Sequence, residues 1–327
     1  AVMPSIQTHR PHTHHPQGTF DGSRNLKLYY QSWSPSGGAQ AQASADCDQS
    51  GDLTAHSKET PVKAAIKGVL AIVHGIGEHS GRYCAIVEGL TAAGYAVFGF
   101  DNQGHGKSEG QRGHIESWSD YRDNTQSFLE LVRQKEPTAP LFLMGHSLGG
   151  LIVLDYVLRN AHKPEFEALA VEGLVVSAPP IQPMDGTASK VRVLLARLLS
   201  GVLPRVSLKM GLSQDALSRD QGVMDQIEHD PLTHCYVTLR WGSETLSTID
   251  WVKKHIRQLR LPILLTHGEA DQIVAPEGTR SIYLQLESPS KALTIYPGSY
   301  HEPHNDLDAK SVVADLLKWM EKGYVAT

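Results

Sequence analysis

Short, nearly uninterrupted apolar runs recur along this chain, and longer segments with helical spacing lie between them. The runs are LKLYYQSW from Leu26, GVLAIVHG from Gly68, YAVFGFD from Tyr95, LFLMGHS from Leu141, GLVVSAP from Gly173, LPILLTHG from Leu261 and KALTIYPG from Lys291. Helical periodicity predicts helices over 81–94, 117–135, 148–161, 245–259, 276–286 and 308–322. Strands buried on both faces read as continuous apolar runs, and parallel strands need crossovers between them. The alternation therefore predicts an α/β fold with a mostly parallel sheet covered by helices on both faces.

Two tracts depart from this rhythm. Residues 36–62 are rich in Ser, Ala, Gln, Gly and Asp and nearly devoid of large apolar side chains. They cannot bury a core and are expected to form an exposed insertion between two edge strands. In residues 181–240, Val191, Leu194, Leu195, Leu198, Leu199 and Val202 recur at i, i+3, i+4, i+7 and i+8 spacing. This predicts a helical insertion after the sixth strand, apolar on more than one side, that packs on the sheet, covers a pocket or touches lipid.

At 327 residues the chain could hold about two average domains. The two tracts reduce that to one core, divided as a His-rich arm over 1–18, a first core part over 19–180, a cap over 181–240 and a second core part over 241–327. The arm carries His9, His12, His14 and His15 but no apolar stretch, so it does not read as a signal peptide. Thirty Lys and Arg against 35 Asp and Glu give a net charge of −5, which provides no field for nucleic acid. Three scattered cysteines form neither a disulfide framework nor a zinc pattern. No run reaches the roughly 18 apolar residues that a spanning helix needs, so a cytoplasmic protein, at most peripheral to a membrane, is expected.

The chemistry concentrates around Gly145, Ser147 and Gly149 in LFLMGHSLGGL, a GxSxG directly after an apolar strand and before a helix. That context predicts a sharp strand-to-helix turn presenting Ser147 at the carboxyl edge of the sheet. The helix N-terminus beneath it offers unpaired N–H groups, with Leu148 N–H as the first oxyanion donor. A serine hydroxyl needs an oriented base. Asp271 stands just beyond LPILLTHG and His301 just beyond KALTIYPG, in the order acid then histidine. Singly, Asp271 could be a helix cap and His301 one of 17 histidines, but their order and strand-end placement agree. HGIGEHSGRY, after the Gly68 run, supplies a tight turn in which Ile76 N–H is the second oxyanion donor.

From about residue 66 to 322 the chain resembles the monoacylglycerol lipase and lysophospholipase branch of the α/β-hydrolases, also described as serine aminopeptidase S33-like. HGIGEHSGRY is similar to that branch's HGxGEHSxRY, FDNQGHGKSEG to its DxxGHGxSxG, and GHSLGG to its GHSMGG; GEAD and GSYHEPHND match its acid and histidine loops. The resemblance implies the α/β-hydrolase fold with Ser147, Asp271 and His301 as triad, Ile76 and Leu148 as oxyanion hole, and no cofactor or metal. It further implies that Glu78, Arg82, His146 and His304 lie near the alcohol leaving group of a lipid ester, although a structural Glu78–Arg82 pair would serve equally. Gln103 departs from the Gly or Arg usual in relatives, and the cap has no residue-level match, which leaves acyl preference open. A general carboxylesterase or lysophospholipase is the nearest alternative function. A non-catalytic ligand-binding protein is disfavoured because all three triad positions are intact.

Overall fold

A computed structural model describes residues 15–35, 66–182, 199–211 and 213–322. The helical repeat expected over 191–202 and the 36–62 tract fall largely or wholly outside these residues.

In chain order the elements begin with β1 (Gln17–Asp21), β2 (Lys27–Trp33), β3 (Val69–Val73), α1 (Cys84–Ala92), β4 (Ala96–Phe100), α2 (Ser119–Lys135), β5 (Leu141–His146) and α3 (Leu148–Asn160). They continue with α4 (Pro164–Glu167), β6 (Val171–Ser177), β7 (Ser207–Lys209), α5 (Gln221–Glu228), β8 (Tyr236–Thr238) and α6 (Leu239–His255). The chain closes with β9 (Ile263–Gly268), α7 (Pro276–Gln285), β10 (Lys291–Tyr296) and α8 (Ala309–Glu321). The main sheet runs β1-β2-β4-β3-β5-β6-β9-β10. From β4 to β10 every pairing is parallel, while β1–β2 and β2–β4 are antiparallel.

The period of two along each strand divides the core into two layers. On β3, Val69, Ala71 and Val73 face one layer, and Leu70 and Ile72 face the other. Leu141 and Leu143 on β5 join the first, Phe142 and Met144 the second. Helices α2, α3, α6 and α7 cover the first face through residues such as Phe128, Leu151, Val252 and Ile282. Helices α1 and α8 cover the second through Ile86, Leu90, Leu316 and Met320. Every residue of β3, β4 and β5 is buried, as a central parallel sheet requires.

The observed fold departs from expectation in three places. Strand β1 begins at Gln17, inside the stretch expected to be an arm; QGTFD alternates in burial because it is an edge strand with one face in water. The 36–62 tract connects β2 to β3, and neither is an edge: β2 lies between β1 and β4, and β3 lies between β4 and β5. The insertion after β6 contains a two-stranded antiparallel ribbon, β7–β8, as well as helices.

The insertion is fastened to the core where the site will lie. His234 N–H donates to Gly77 O (2.9 Å) and Thr238 N–H to Gly113 O (3.0 Å). From the other side, His301 N–H donates to Ala216 O (3.4 Å) and Glu302 N–H to Leu217 O (2.9 Å). Among the described residues no helix is long and apolar enough to cross a membrane.

Candidate active site

Ser147 joins β5 to α3 with φ 50° and ψ −119°, a backbone conformation unfavourable for a residue with a Cβ. The positions two residues to either side must be glycine for the turn to close. A Cβ on Gly145 would stand 2.2 Å from Gly149 O, and one on Gly149 would stand 2.0 Å from Val73 O. The turn is also held by Ser147 N–H, which donates to Ser177 O on β6 (2.8 Å). The strain thus sits where several strands converge, and it turns the hydroxyl toward the loop after β10.

Ser147 Oγ lies 2.9 Å from His301 Nε2, and His301 Nδ1 lies 2.7 Å from Asp271 Oδ2. Asp271 Oδ1 accepts from the N–H groups of Ile273 (2.8 Å) and Val274 (3.0 Å), which orients the carboxylate. Burial alone would raise the Asp271 carboxyl, but the charge of His301 and hydrogen bonds from His267 and His301 hold it well below the usual range. Burial would likewise lower His301. The Asp271 charge and hydrogen bond, then Glu302 and Glu78, outweigh it and hold the imidazole above its ordinary value.

The turn after β3 abuts this elbow: a Cβ on Gly75 would stand 3.2 Å from Ser147 Cβ. Ile76 follows Gly75, and Leu148 is the first residue of α3, whose N–H has no partner within the helix. His74 fixes the turn from inside the core. Its Nε2 accepts from Asn102 N–H (2.8 Å), so Nδ1 carries the proton and donates to Gly75 O (2.7 Å).

Glu78 and Arg82 belong to the same loop and form a buried group with Glu302, the residue after His301. Glu78 Oε1 accepts from Gly75 N–H (2.5 Å) and Tyr83 Oη (2.8 Å), while Oε2 meets Arg82 at 3.3 Å. Arg82 makes a two-pronged pair with Glu302, at 2.9 and 2.7 Å. Burial, reinforced by Glu302, raises the Glu78 carboxyl, although Arg82 pulls against it. Glu302 is held low: burial opposes this, but Arg82 prevails. The Glu78–Arg82 pair therefore has a structural role, joining the turn after β3 to the histidine loop.

His146, His301 and His304 pack ring to ring, with His146 centroids 5.0 Å from His301 and 4.7 Å from His304. His304 also stacks on Tyr83 (4.8 Å, 5° between planes). His146 Nδ1 meets Ser177 Oγ at 3.3 Å, whereas both His304 nitrogens are buried with no hydrogen-bond partner among the described residues. Burial pushes His304 down to about 4 and His146 well below its ordinary value. Arg82 and His304 also line a cavity of about 400 Å³ whose far wall is α5, through Val223 and Ile227. Gln103 lies in the loop after β4, where its side chain accepts from Asn124 (2.9 Å) and donates to His114 O (3.3 Å).

All nine candidate residues thus meet around the carboxyl ends of β3, β5, β9 and β10. The sequence reading missed His267 and Glu302. His267 Nε2 lies 3.0 Å from Asp271 Oδ2, and its only signal was its place four residues before the acid. Glu302 offered adjacency to His301 and nothing that revealed its burial.

A family profile described as "Serine aminopeptidase, S33" matches residues 64–308. The monoglyceride lipase of Rattus norvegicus is 32% identical over 257 residues, covering 78% of this chain and 82% of that protein. The monoacylglycerol lipase of Mycolicibacterium smegmatis is 31% identical over 255 residues, covering 78% and 88%. The crystal structure of a soluble variant of monoglyceride lipase from Saccharomyces cerevisiae, in complex with a substrate analog, superposes with a TM-score of 0.76. It is 25% identical and covers 99% of each chain. With the strained serine elbow, the sheet order and a profile spanning most of the core, the chain belongs to the serine aminopeptidase S33 family of α/β-hydrolases.

Proposed function

We propose that this protein is a serine ester hydrolase that cleaves monoacylglycerol or a similar single-chain lipid ester through an acyl-enzyme. The observation that carries the reading is the hydrogen-bonded chain from Ser147 Oγ through His301 to Asp271 on a strained elbow. Ser147 Oγ attacks the ester carbonyl as His301 Nε2 takes its proton, and Asp271 stabilises the imidazolium that forms. The developing oxyanion is met by the N–H groups of Ile76 and Leu148. His301 returns the proton to the departing alcohol, then takes one from the water that cleaves the acyl-enzyme.

The choice of a polyol ester over a simple ester rests on the polar end of the site. Among the described residues neither buried nitrogen of His304 has a hydrogen-bond partner, and its ring packs on His146 and lines the same cavity as Arg82. Such groups reject an ester that cannot pair with them. His304→Phe keeps the stack on Tyr83 and deletes both nitrogens. It is expected to lower kcat/KM for monoacylglycerol about tenfold while changing an alkyl ester of the same acyl chain less than about twofold. Equal losses on both substrates would favour the general carboxylesterase reading. The similarity to lipases named for monoacylglycerol supports the same choice.

A second part of the reading concerns where the substrate is met. Val202, Leu203, Val206 and Leu208 are exposed along the turn before β7 and on the ribbon, with Arg205 and Lys209 beside them in sequence. This surface suits peripheral contact between a cytoplasmic enzyme and a membrane holding the substrate. Val202→Ser combined with Leu208→Ser is expected to weaken co-sedimentation with phospholipid vesicles about tenfold and leave hydrolysis of a soluble ester unchanged. Undiminished vesicle binding would remove the cap from this role.

A further inference from the structure

The buried His267 makes contacts that the triad chemistry does not by itself require. It ends β9, is fully buried, and its Nε2 faces two acceptors, Asp271 Oδ2 at 3.0 Å and Val274 O at 3.1 Å. A nitrogen between two acceptors must carry a proton. Its other nitrogen, Nδ1, lies 2.7 Å from Thr279 Oγ1 on α7, which can donate to it and so fix that tautomer. Asp271 Oδ2 therefore receives two donors, His267 Nε2–H and His301 Nδ1–H.

We infer that His267 is a positioning residue for the hydrolytic reaction: its Nε2–H holds Asp271 and limits how strongly that carboxylate binds the His301 imidazolium. The inference rests on the triad assignment made above. Two consequences follow from the shared oxygen. Asp271 is clamped by donors on both oxygens, with Ile273 and Val274 N–H on Oδ1 and His267 on Oδ2, so it cannot rotate away as His301 gains its proton. A carboxylate oxygen already donated to also concentrates less charge on its second partner. His267 thereby keeps His301 from becoming so basic that it stays protonated at neutral pH, where the base must be free.

The other charged and titratable groups facing His301 leave this role to Asp271. His146 approaches from the end of β5, Glu302 adjoins it in its own loop with His304 beyond, and Glu78 with Arg82 approaches from the turn after β3. Among the described residues none of these groups hydrogen-bonds Asp271; its side-chain donors are His267 and His301.

The test compares two amides in the full chain. His267→Gln is long enough to donate to Asp271 and accept from Thr279, whereas His267→Asn reaches Thr279 but not Asp271. Both are neutral and polar but differ by one methylene, so the position of the acid limb, which a loss of packing alone does not move, decides between the two explanations. Each is assayed on a soluble p-nitrophenyl ester across pH, beside His267→Leu, Ser147→Ala and the parent. For His267→Asn and His267→Leu, kcat is expected to fall about tenfold with KM held within about twofold, and the acid limb of kcat/KM to move up by about half a pH unit or more. His267→Gln is expected to restore both the rate and the limb to near the parent. If His267→Leu does not fold, the Asn and Gln pair decides alone. An acid limb that stays in place in His267→Asn, or equal behaviour of Asn and Gln, overturns the inference while an inactive Ser147→Ala leaves the triad standing. Parent-like activity in Ser147→Ala overturns both.

Discussion

Ser147→Ala is expected to lower kcat for ester hydrolysis by at least about 10⁴-fold and to abolish labelling by a fluorophosphonate, with the fold intact. The size follows from what the hydroxyl does. It lies 2.9 Å from His301 Nε2, and among the described residues no other imidazole or hydroxyl shares that hydrogen bond. The turn itself does not depend on the hydroxyl, because the backbone strain at Ser147 is enforced by Gly145, Gly149 and the bond to Ser177 O. Alanine should therefore fold, and thermal unfolding by circular dichroism should match the parent within a few degrees. Asp271→Asn is expected to cost about as much, since an amide cannot both accept from His301 and remain charged against its imidazolium. The double variant should be no worse than Ser147→Ala, because the residues act as one unit. Additive losses would show that Ser147, His301 and Asp271 do not act as one unit. Activity retained in Ser147→Ala would remove the acyl-enzyme altogether.

The parts of this site that were legible in the sequence share a physical origin. Ser147, Asp271 and His301 each follow a continuous apolar run, and such runs announce buried parallel strands whose carboxyl ends gather at one edge. His267 was hidden by that same signal: it lies at the end of LPILLTHG, and a residue inside an apolar run is read as strand. Glu302 was hidden by distance, since its partner Arg82 is 220 residues away and an isolated Glu in a loop looks solvated. The Glu78–Arg82 pair was visible as a short-range possibility, yet its function as a brace between the β3 turn and the histidine loop needed that third member. Strand β1 escaped because an edge strand with one wet face carries no long apolar run. The ribbon β7–β8 escaped because three-residue strands are too short to display a period. Local patterns thus exposed elements and their ends, while pairings across the fold depended on topology.

Acidification should destabilise this protein steeply between pH 6.5 and 5, above the range in which most carboxylates are protonated. Burial lowers His74 and His304 to about 4 and depresses His105 and His146 well below their ordinary value. In each case the unfolded chain takes up a proton near pH 6.5 that the folded protein refuses until lower pH. Their stabilising contribution is therefore complete above about pH 6.5 and is lost as pH falls toward the folded values. Each such histidine contributes at most about 1.4 kcal/mol per pH unit across that window, and total stability is only about 5–15 kcal/mol. His301 acts in the opposite sense: its folded value is raised, so its contribution is present below the unfolded pKa and lost as pH rises. One histidine offsets only part of the four. Urea unfolding followed by tryptophan fluorescence at pH 7.5, 6 and 5 should show the midpoint dropping at each step, with more than half the free energy lost by pH 5. His105→Gln removes one of the four imidazoles away from Ser147, and it should reduce the slope by about one proton. A midpoint that stays level from pH 7.5 to 5 would mean these rings accept protons in the folded state, and hence that the buried face between the β3 turn, the cap and the histidine loop admits water.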